Sequence, residues 1–404
     1  MRVTYNSPNR SHHYRYAAAL ARAGCLFRFV SGFSRFSRQA ALPEAEGKIV
    51  RADEWQNLYL ASLRLRLPGA LCEELAYRSK VWIDRCSEKA ARGSDLFLFY
   101  SGAGLETARR LEGTGVIRMV EAVNSHVLTQ KAIMEEEHRR LGLPAPRFHA
   151  REVARRVEEY RTADAVLCPS SFVKKSFAEQ GVPAERIFVV PYGIALHGEA
   201  APVREKGKAF RVLYVGQISP RKGLRYLFEA FERLRHPGKE LWIVGPRTHE
   251  TGIEGVKPPE GTTFFGVLKG EELARVYREA DVFVLPSVEE GLALVLGEAL
   301  SYGLPVIATE NSGGADLFTD GKEGFLVPIR APEAIAEKLE LLAGDPDRRQ
   351  LMAEAALSRA RALDGWESTG QKLVATLQGL VQPDAATSFH DPLPGDKLHS
   401  TPRA

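Results

Sequence analysis

The chain has 404 residues, of which 44% are hydrophobic and 26% charged, a composition typical of a soluble globular protein. This length is too great for one hydrophobic core, so two domains are expected, and no apolar run approaches the ~20 residues of a membrane span. The formal net charge of +4 divides into +8 over residues 1–200 and −4 over the remainder. The basic half either faces an anionic partner such as membrane lipid or simply carries an arginine-rich surface. No partnership with nucleic acid is expected.

The N-terminus MRVTYNSPNR passes directly into a strand rather than a secretory signal, so the predicted location is cytoplasmic. The cysteines are far apart and lack the paired spacing of a metal site. They are expected to be reduced, mostly buried thiols without a chemical role: Cys25, Cys72, Cys86 and Cys168.

The first half alternates strands and helices, which predicts a parallel sheet covered on both faces. It begins with a strand over 2–6, the polar loop SPNRSHHYR and a helix ending at Gly24. The loop holds His12 and His13 but lacks the glycines of a dinucleotide fingerprint, so nicotinamide binding is not expected. His126 follows the strand VIRMVEAV, at the carboxyl edge where open sheets place ligands. A lone histidine there is also compatible with a structural role.

Residues 55–90 alternate leucines with arginines, and Pro68 and Gly69 predict a break between two helices. A basic amphipathic surface of this kind can lie on anionic lipid. The same leucines could equally face a hydrophobic core.

The strand–helix alternation begins again after a polar segment, which predicts a second doubly wound unit. The predicted organisation is an N-terminal domain at 1–195, a linker at 196–209 and a C-terminal domain at 210–365. A last helix at 366–382 is expected to pack back on the N-terminal domain, and 383–404 are expected to be a disordered tail.

The second domain is centred on DVFVLPSVEEGLALVLGEALSYGLPVIAT, residues 281–309. Glu298 lies inside an apolar helix, and a buried carboxylate needs a hydrogen-bond partner. Glu290 stands at the turn before that helix, where Gly291 and the helix N-terminus suit an anion such as a diphosphate. Apart from Glu289, these are the only charges between Asp281 and Glu310.

The stretches VGQISPRKGL, PSVEEGLALVLGEALSYGLPVIAT, SGGADLFTDGKEGFLVP and FVVPYG resemble the family 4 retaining glycosyltransferases. The most specific element is the pair Glu290 and Glu298, separated by seven residues after a Pro-Ser turn. The resemblance implies an α/β protein of the GT-B fold, with two doubly wound Rossmann-like domains facing across a cleft. It implies transfer of a hexosyl group from a nucleotide-diphosphate sugar to an acceptor hydroxyl, with retained anomeric configuration and no bound metal or other cofactor.

The resemblance also implies roles for residues of the second domain. Glu298 would accept hydrogen bonds from the ribose hydroxyls, and Glu290 would contact the donor sugar near the reacting carbon. The diphosphate would meet Lys222 and, at the helix start, backbone amides of Gly291, Leu292, Ala293 and Leu294. The family's arginine after Gly216 is replaced by Gln217, and Arg221 could supply the missing charge.

In the first domain, His126 matches the family's acceptor-side histidine. The family's glycine pair is absent from the loop after the first strand, which leaves open which groups there touch phosphate or acceptor. Glu158 and Tyr160 resemble family positions and are interpreted as helix-surface and packing residues. Asp316 stands where relatives often have Glu.

The expected acceptor is a glycan or lipid in polysaccharide or glycolipid assembly, with peripheral contact to an anionic membrane. Two alternatives remain open. One is a nucleotide-sugar epimerase or sugar phosphorylase of the same fold. The other is a catalytically silent sugar-nucleotide-binding protein, which the changes at Gln217 and in the first loop would permit.

Overall fold

The computed structural model describes residues 1–197, 209–248 and 250–382. Most of the predicted linker, 198–208, and the predicted tail, 383–404, lie outside the described residues. The described chain forms two parallel β-sheets, each flanked by helices.

The first sheet contains seven strands, which are β1 Val3–Ser7, β2 Leu26–Ser31, β3 Ile49–Arg51, β4 Leu96–Tyr100, β5 Ile117–Glu121, β6 Ala165–Cys168 and β7 Ile187–Val189. Their order is β3-β2-β1-β4-β5-β6-β7, and each neighbouring pair is parallel. The helices of this half are α1 His13–Arg22, α2 Glu54–Arg64, α3 Gly69–Ala91, α4 Leu105–Arg110, α5 Val127–Leu141, α6 Ala150–Thr162 and α7 Ser171–Glu179.

The second sheet contains six strands, which are β8 Phe210–Val215, β9 Lys239–Val244, β10 Thr262–Gly266, β11 Val282–Leu285, β12 Val306–Thr309 and β13 Gly324–Val327. Their order is β10-β9-β8-β11-β12-β13, again all parallel. The remaining helices are α8 Leu224–Arg233, α9 Gly270–Glu279, α10 Leu294–Ser301, α11 Pro332–Gly344, α12 Pro346–Ala362 and α13 Trp366–Val381.

The central strands are buried on both faces because helices cover both sides of each sheet. Every residue of β1, β6, β11 and β12 is buried, as expected for near-continuous apolar runs in a parallel sheet. In both sheets the strand order reverses direction beside the first strand, which defines a doubly wound domain. The prediction of two such domains is confirmed.

The last helix crosses back to the first half of the chain. α13 lies against α1, where a Cβ added to Gly370 would be 2.6 Å from Ala19 Cβ. The Trp366 ring stacks on Tyr192 with the ring centroids 6.4 Å apart. Ile194 N–H donates to Asp364 O at 2.9 Å where the chain passes between domains. The segments around Ile194 and Asp364 therefore connect the two domains side by side.

The domains also meet through Glu137 on α5, which is fully buried. Its Oε2 accepts hydrogen bonds from Tyr226 Oη at 3.1 Å and from Arg330 Nε at 2.7 Å, both in the second domain. Arg330 adopts a positive φ of 59°, an uncommon conformation for a non-glycine residue.

All four cysteines are free, and three of them, Cys25, Cys72 and Cys168, are buried. Among the described helices, none combines the length and apolar character needed to cross a bilayer.

Candidate functional site

The two sheets bring their carboxyl edges together where the segment 123–126 after β5 meets the segment 289–291 after β11. The contact is close at Gly291, because an added Cβ there would clash with the carbonyl oxygen of Val123. Ser170 Oγ, at the start of α7, donates to the carbonyl of Gly291. The loop that carries His126 and the turn that carries Glu290 thus form the two walls of one cleft.

Glu289 is the residue that joins these walls, and it is fully buried. Its Oε1 accepts hydrogen bonds from Ser125 N–H at 3.0 Å and from Ser125 Oγ at 2.8 Å. Its Oε2 accepts one from Gln130 Nε2 at 3.2 Å. In the sequence Glu289 stands out only as a charge next to Glu290. The adjacency of two glutamates at a buried turn was the available signal.

Glu290 lies against both predicted cations of the diphosphate site. Arg221 Nη1 is 3.0 Å from Glu290 Oε1, and Lys222 Nζ forms an ion pair with the same oxygen. Burial alone would raise the pKa of Glu290, but the charges of Arg221 and Lys222 and their hydrogen bonds outweigh it and lower the pKa. The carboxylate is therefore ionised at neutral pH.

A tight turn places the two cations there. They belong to a 3-10 turn, Pro220–Lys222, in the loop after β8, and Gly223 ends the turn with φ 65°. A side chain at Gly223 would also clash with the carbonyl of Pro286, which follows β11. Glycine therefore allows the loop to approach the β11 turn, where Val288 N–H donates to Arg221 O at 2.9 Å. Gln217 is exposed in the same loop, and Gly216 precedes it.

The predicted phosphate amides lie at the start of α10, which begins at Leu294. Gly291, Leu292 and Ala293 are buried. The N–H of Ala293 donates to Ser312 O at 3.1 Å, so a phosphate at this amide would have to displace or share that hydrogen bond.

Glu298, which was expected to be buried and to need a hydrogen-bond partner, has one within the protein. It is only partly buried, and its Oε2 accepts a hydrogen bond from Tyr277 Oη on α9 at 3.1 Å. Burial raises the pKa of Glu298, although Tyr277 and the charge of His197 act in the opposite direction. The Tyr277 ring stacks on Tyr302 with centroids 5.1 Å apart, which fixes the orientation of the donor.

His126 caps α5, since its Nδ1 accepts a hydrogen bond from Leu128 N–H at 3.3 Å. Its ring is buried against Tyr160 and Phe177. Burial, followed by the charge of Arg156, lowers the pKa of His126 to about 4. The ring is therefore neutral at physiological pH.

The loop after β1 lacks the family's glycines and instead contributes two histidines to a buried polar group. Glu121, at the end of β5, lies 2.7 Å from His12 Nε2 and 3.2 Å from His13 Nδ1. Tyr5 Oη also donates to Glu121 at 2.7 Å. His12, His13 and Glu121 are ligand-type side chains that could hold a metal ion. Hydrogen bonds within the group already satisfy the carboxylate, which is their simpler role.

Glu158 and Tyr160, the two other family-like positions of the first domain, contact protein side chains. Glu158 forms a surface ion pair with Arg109 at 3.2 Å, whereas Tyr160 is buried beside His126. In the second domain, Asp316 Oδ2 accepts hydrogen bonds from Ser171 N–H at 2.9 Å and Ser171 Oγ at 2.8 Å, a further link between domains.

Comparison with known families identifies both halves of the chain. Residues 11–197 match the model described as Glycosyltransferase Family 4, and residues 199–359 match the model described as Glycosyl transferases group 1.

Two relatives illustrate the similarity. The sulfoquinovosyl transferase SQD2 of Arabidopsis thaliana is 29% identical over 229 residues, which is 53% of this chain and 44% of SQD2. The D-inositol 3-phosphate glycosyltransferase of Paenarthrobacter aurescens is 27% identical over 330 residues, covering 77% of this chain and 79% of that protein.

Two solved structures share the fold. Sucrose-phosphate synthase from Thermosynechococcus elongatus has a TM-score of 0.68 and 18% identity, covering 94% of this chain and 99% of that one. Anabaena HepE, solved with UDP-glucose, has a TM-score of 0.61 and 15% identity, covering 94% of this chain and all of that one.

Proposed function

Since the chain belongs to the family 4 glycosyltransferases with the GT-B fold, we propose that it moves a hexosyl group from a nucleotide-diphosphate sugar to an acceptor hydroxyl with retention of configuration. The observation that carries this proposal is the placement of Glu290. Arg221 and Lys222 hold its carboxylate at the cleft wall that faces the His126 loop.

The two cations suit a diphosphate leaving group. A leaving nucleoside diphosphate gains negative charge in the transition state, and positive side chains fixed beside it lower the barrier. Arg221 and Lys222 would supply that charge without a metal ion. Arg221 would take the place of the family's arginine, which is replaced by Gln217 in this chain. HepE, which shares the fold, was solved with UDP-glucose.

Glu290 is proposed to shape the donor sugar rather than to form a covalent bond with it. Its two ion pairs stabilise the ionised form, which suits it to accept hydrogen bonds from sugar hydroxyls near an oxocarbenium-like centre. Glu298, with its free lone pairs beside the Tyr277 hydrogen bond, is proposed to accept from the ribose diol.

The acceptor is proposed to be a glycan or lipid intermediate at a membrane surface. Large exposed apolar side chains cluster on α2, α3 and the turn between them, at Leu58, Leu63, Leu65, Leu67 and Leu71. Arg64 and Arg66 lie between them in the sequence, and Leu65 is 70% exposed. Exposed leucines beside arginines match the apolar interior and anionic headgroups of a bilayer surface.

The direct test measures nucleoside diphosphate release from UDP-, GDP- and ADP-sugars, with Glu290→Gln and the exposed control Glu337→Gln. We expect one donor class to be turned over by the protein and by Glu337→Gln, and turnover to fall about a hundredfold in Glu290→Gln. Turnover that requires inorganic phosphate would favour the phosphorylase, and donor binding without any release would favour the silent binding protein. A trapped glycosyl-Glu290 adduct, detected by mass spectrometry, would contradict the role given to Glu290.

A further inference from the structure

A small cavity lies in the N-terminal domain next to His126. It has a volume of about 180 Å³ and lies between α3, α5 and α6. Its lining includes Val127, the first residue of α5, and His149, which precedes α6. Arg156 on α6 contributes the positive charge that helps lower the pKa of His126.

The cavity is lined by charges of both signs, and the charge of Glu152 acts on Arg156 without a direct ion pair between them. Its two lining glutamates have other partners, because Glu73 lies 3.9 Å from Arg147 and Glu152 forms an ion pair with Lys80. Among the described residues, no carboxylate lies within 4.0 Å of the Arg156 guanidinium.

The hydrogen bonds of Arg156 use one side of its guanidinium. Nε donates to Ser101 Oγ at 3.0 Å and to Tyr160 Oη at 3.3 Å. These contacts fix the plane of the group, and within residues 1–197, 209–248 and 250–382 its two terminal NH₂ groups have no hydrogen-bond partner. A fixed guanidinium with two free NH₂ groups is suited to a phosphate or a carboxylate.

Two helix N-termini add to the positive potential. α5 has 15 residues and α6 has 13, and the first turn of each borders the cavity. The amino end of a helix carries a partial positive charge that favours an anion. Ser101 directly follows β4, so the cavity also lies at the carboxyl edge of the sheet, where doubly wound domains bind ligands.

We propose that this cavity binds an anionic phosphate group on the acceptor, with Arg156 as its principal ligand. The inference rests on the proposed function and specifies its acceptor as a phosphorylated molecule. A phosphate on Arg156 would place the rest of the acceptor beside His126 and the cleft. The phosphate could belong to a soluble sugar phosphate or to a lipid headgroup.

The test uses inorganic phosphate as the probe, titrated by calorimetry into the full chain saturated with whichever of UDP, GDP and ADP it binds. On the proposed function the bound nucleotide covers Arg221 and Lys222, so heat from phosphate reports on the second site. We expect saturable binding that weakens at least tenfold in Arg156→Gln and less in Arg156→Lys. Arg161→Gln, an exposed arginine on the same helix, should bind as the unmodified protein does.

Equal phosphate affinity in Arg156→Gln and the unmodified protein would overturn the proposal, as would absence of saturable phosphate binding to the nucleotide complex. An equal loss in Arg161→Gln would overturn it as well, since it would indicate non-specific attraction. Binding of UDP, GDP and ADP is measured first in every variant. A chain that binds none of UDP, GDP and ADP would refute the proposed function, and phosphate binding by Arg156 would then still be judged by titration without nucleotide, comparing Arg156→Gln with Arg221→Gln.

Two further arms separate the sources of phosphate. Glucose 1-phosphate is compared with glucose, and vesicles of phosphatidylcholine with 20% phosphatidic acid are compared with phosphatidylcholine alone. An Arg156-dependent response to glucose 1-phosphate indicates a soluble acceptor. One restricted to phosphatidic acid indicates a lipid headgroup, and no Arg156 dependence in either arm overturns the proposal.

Discussion

Ser125 donates two hydrogen bonds to the carboxylate of Glu289, from its backbone N–H at 3.0 Å and from its hydroxyl at 2.8 Å. The two residues belong to different domains, and each stands one position before a residue of the proposed site, His126 or Glu290. The pair therefore fixes the distance between the acceptor wall and the donor wall of the cleft.

Glu289→Gln should slow turnover more than it weakens donor binding. The substitution removes the charge and replaces one acceptor oxygen by an NH₂ group that cannot accept from Ser125 or Gln130. Hydrogen bonds to a charged group contribute about 1.5–3 kcal/mol, so we expect kcat to fall roughly tenfold or more. Steady-state kinetics provide the measurement, with the exposed Glu337→Gln as control. A change confined to the donor KM would contradict the positioning role.

Gly291→Ala should separate the two walls. The added methyl group would meet the Val123 carbonyl, and the backbone there cannot move without opening the domain contact. We expect a loss of activity together with a larger radius of gyration by small-angle X-ray scattering. Gly344→Ala is the matched control, because nothing lies within 4 Å of a Cβ at that position. An unchanged radius and full activity in Gly291→Ala would show that this contact does not hold the cleft.

Substitutions of Glu290 and Glu298 should affect different quantities, kcat in the first case and donor binding in the second. Glu298→Ala should raise the donor dissociation constant about tenfold with a smaller change in kcat, since ribose contacts are made equally before and during reaction. Glu290→Gln should mainly lower kcat. Tyr277→Phe removes only the hydrogen bond that orients Glu298 and should produce a milder form of the Glu298 effect. Isothermal titration with UDP separates binding from turnover, and identical profiles for both glutamates would refute the division of roles.

The architecture was predictable from sequence because it rests on local pattern. The apolar runs of β1, β6 and β11 and the alternating helices suffice for two parallel sheets. The turn motif around Glu290 was equally visible, since glycine, glutamate and helix start are adjacent in the chain.

The partners of the site residues were not predictable, because they lie far away in sequence. Glu289 and Ser125 are 164 positions apart, so nothing in the local pattern marked the glutamate. The partner of Glu298 is a tyrosine on the preceding helix, which an amphipathic pattern cannot distinguish from core packing. In the sequence nothing distinguishes Arg156 from the other arginines of its charged helix. Only the fold brings Ser101 and the cavity next to it.

The low pKa of His126 predicts a pH dependence of stability. Folding lowers this pKa from 6.5 to about 4, so the unfolded chain binds the proton more tightly and stability decreases as pH falls from 6.5 to about 4. Across this pH interval the melting temperature of His126→Gln should fall less than that of the unmodified protein. Arg156→Gln should raise the His126 pKa, which NMR titration of the ring would report. An unshifted His126 pKa in that variant would contradict the influence of Arg156.

The leucine patch predicts vesicle binding. Replacing Leu65 and Leu71 together by Gln should reduce co-sedimentation with anionic vesicles at low salt about tenfold, because two side chains can no longer enter the apolar layer. Leu351→Gln, at a residue 68% exposed in the C-terminal half, is the control and should sediment unchanged. Failure of the unmodified protein to bind such vesicles would exclude this surface as a membrane contact.

The return of α13 to α1 affects how the protein is made on the ribosome. The N-terminal sheet is synthesised before the second sheet, but the helix that covers Ala19 and stacks Trp366 beside Tyr192 is translated only after the second sheet. Until residue 381 has emerged, that surface of the nascent chain stays open to chaperones or to incorrect partners. Completion of the first domain therefore waits for synthesis of the second. A chain truncated near residue 365 would lack the helix that covers Ala19 and the ring that stacks beside Tyr192.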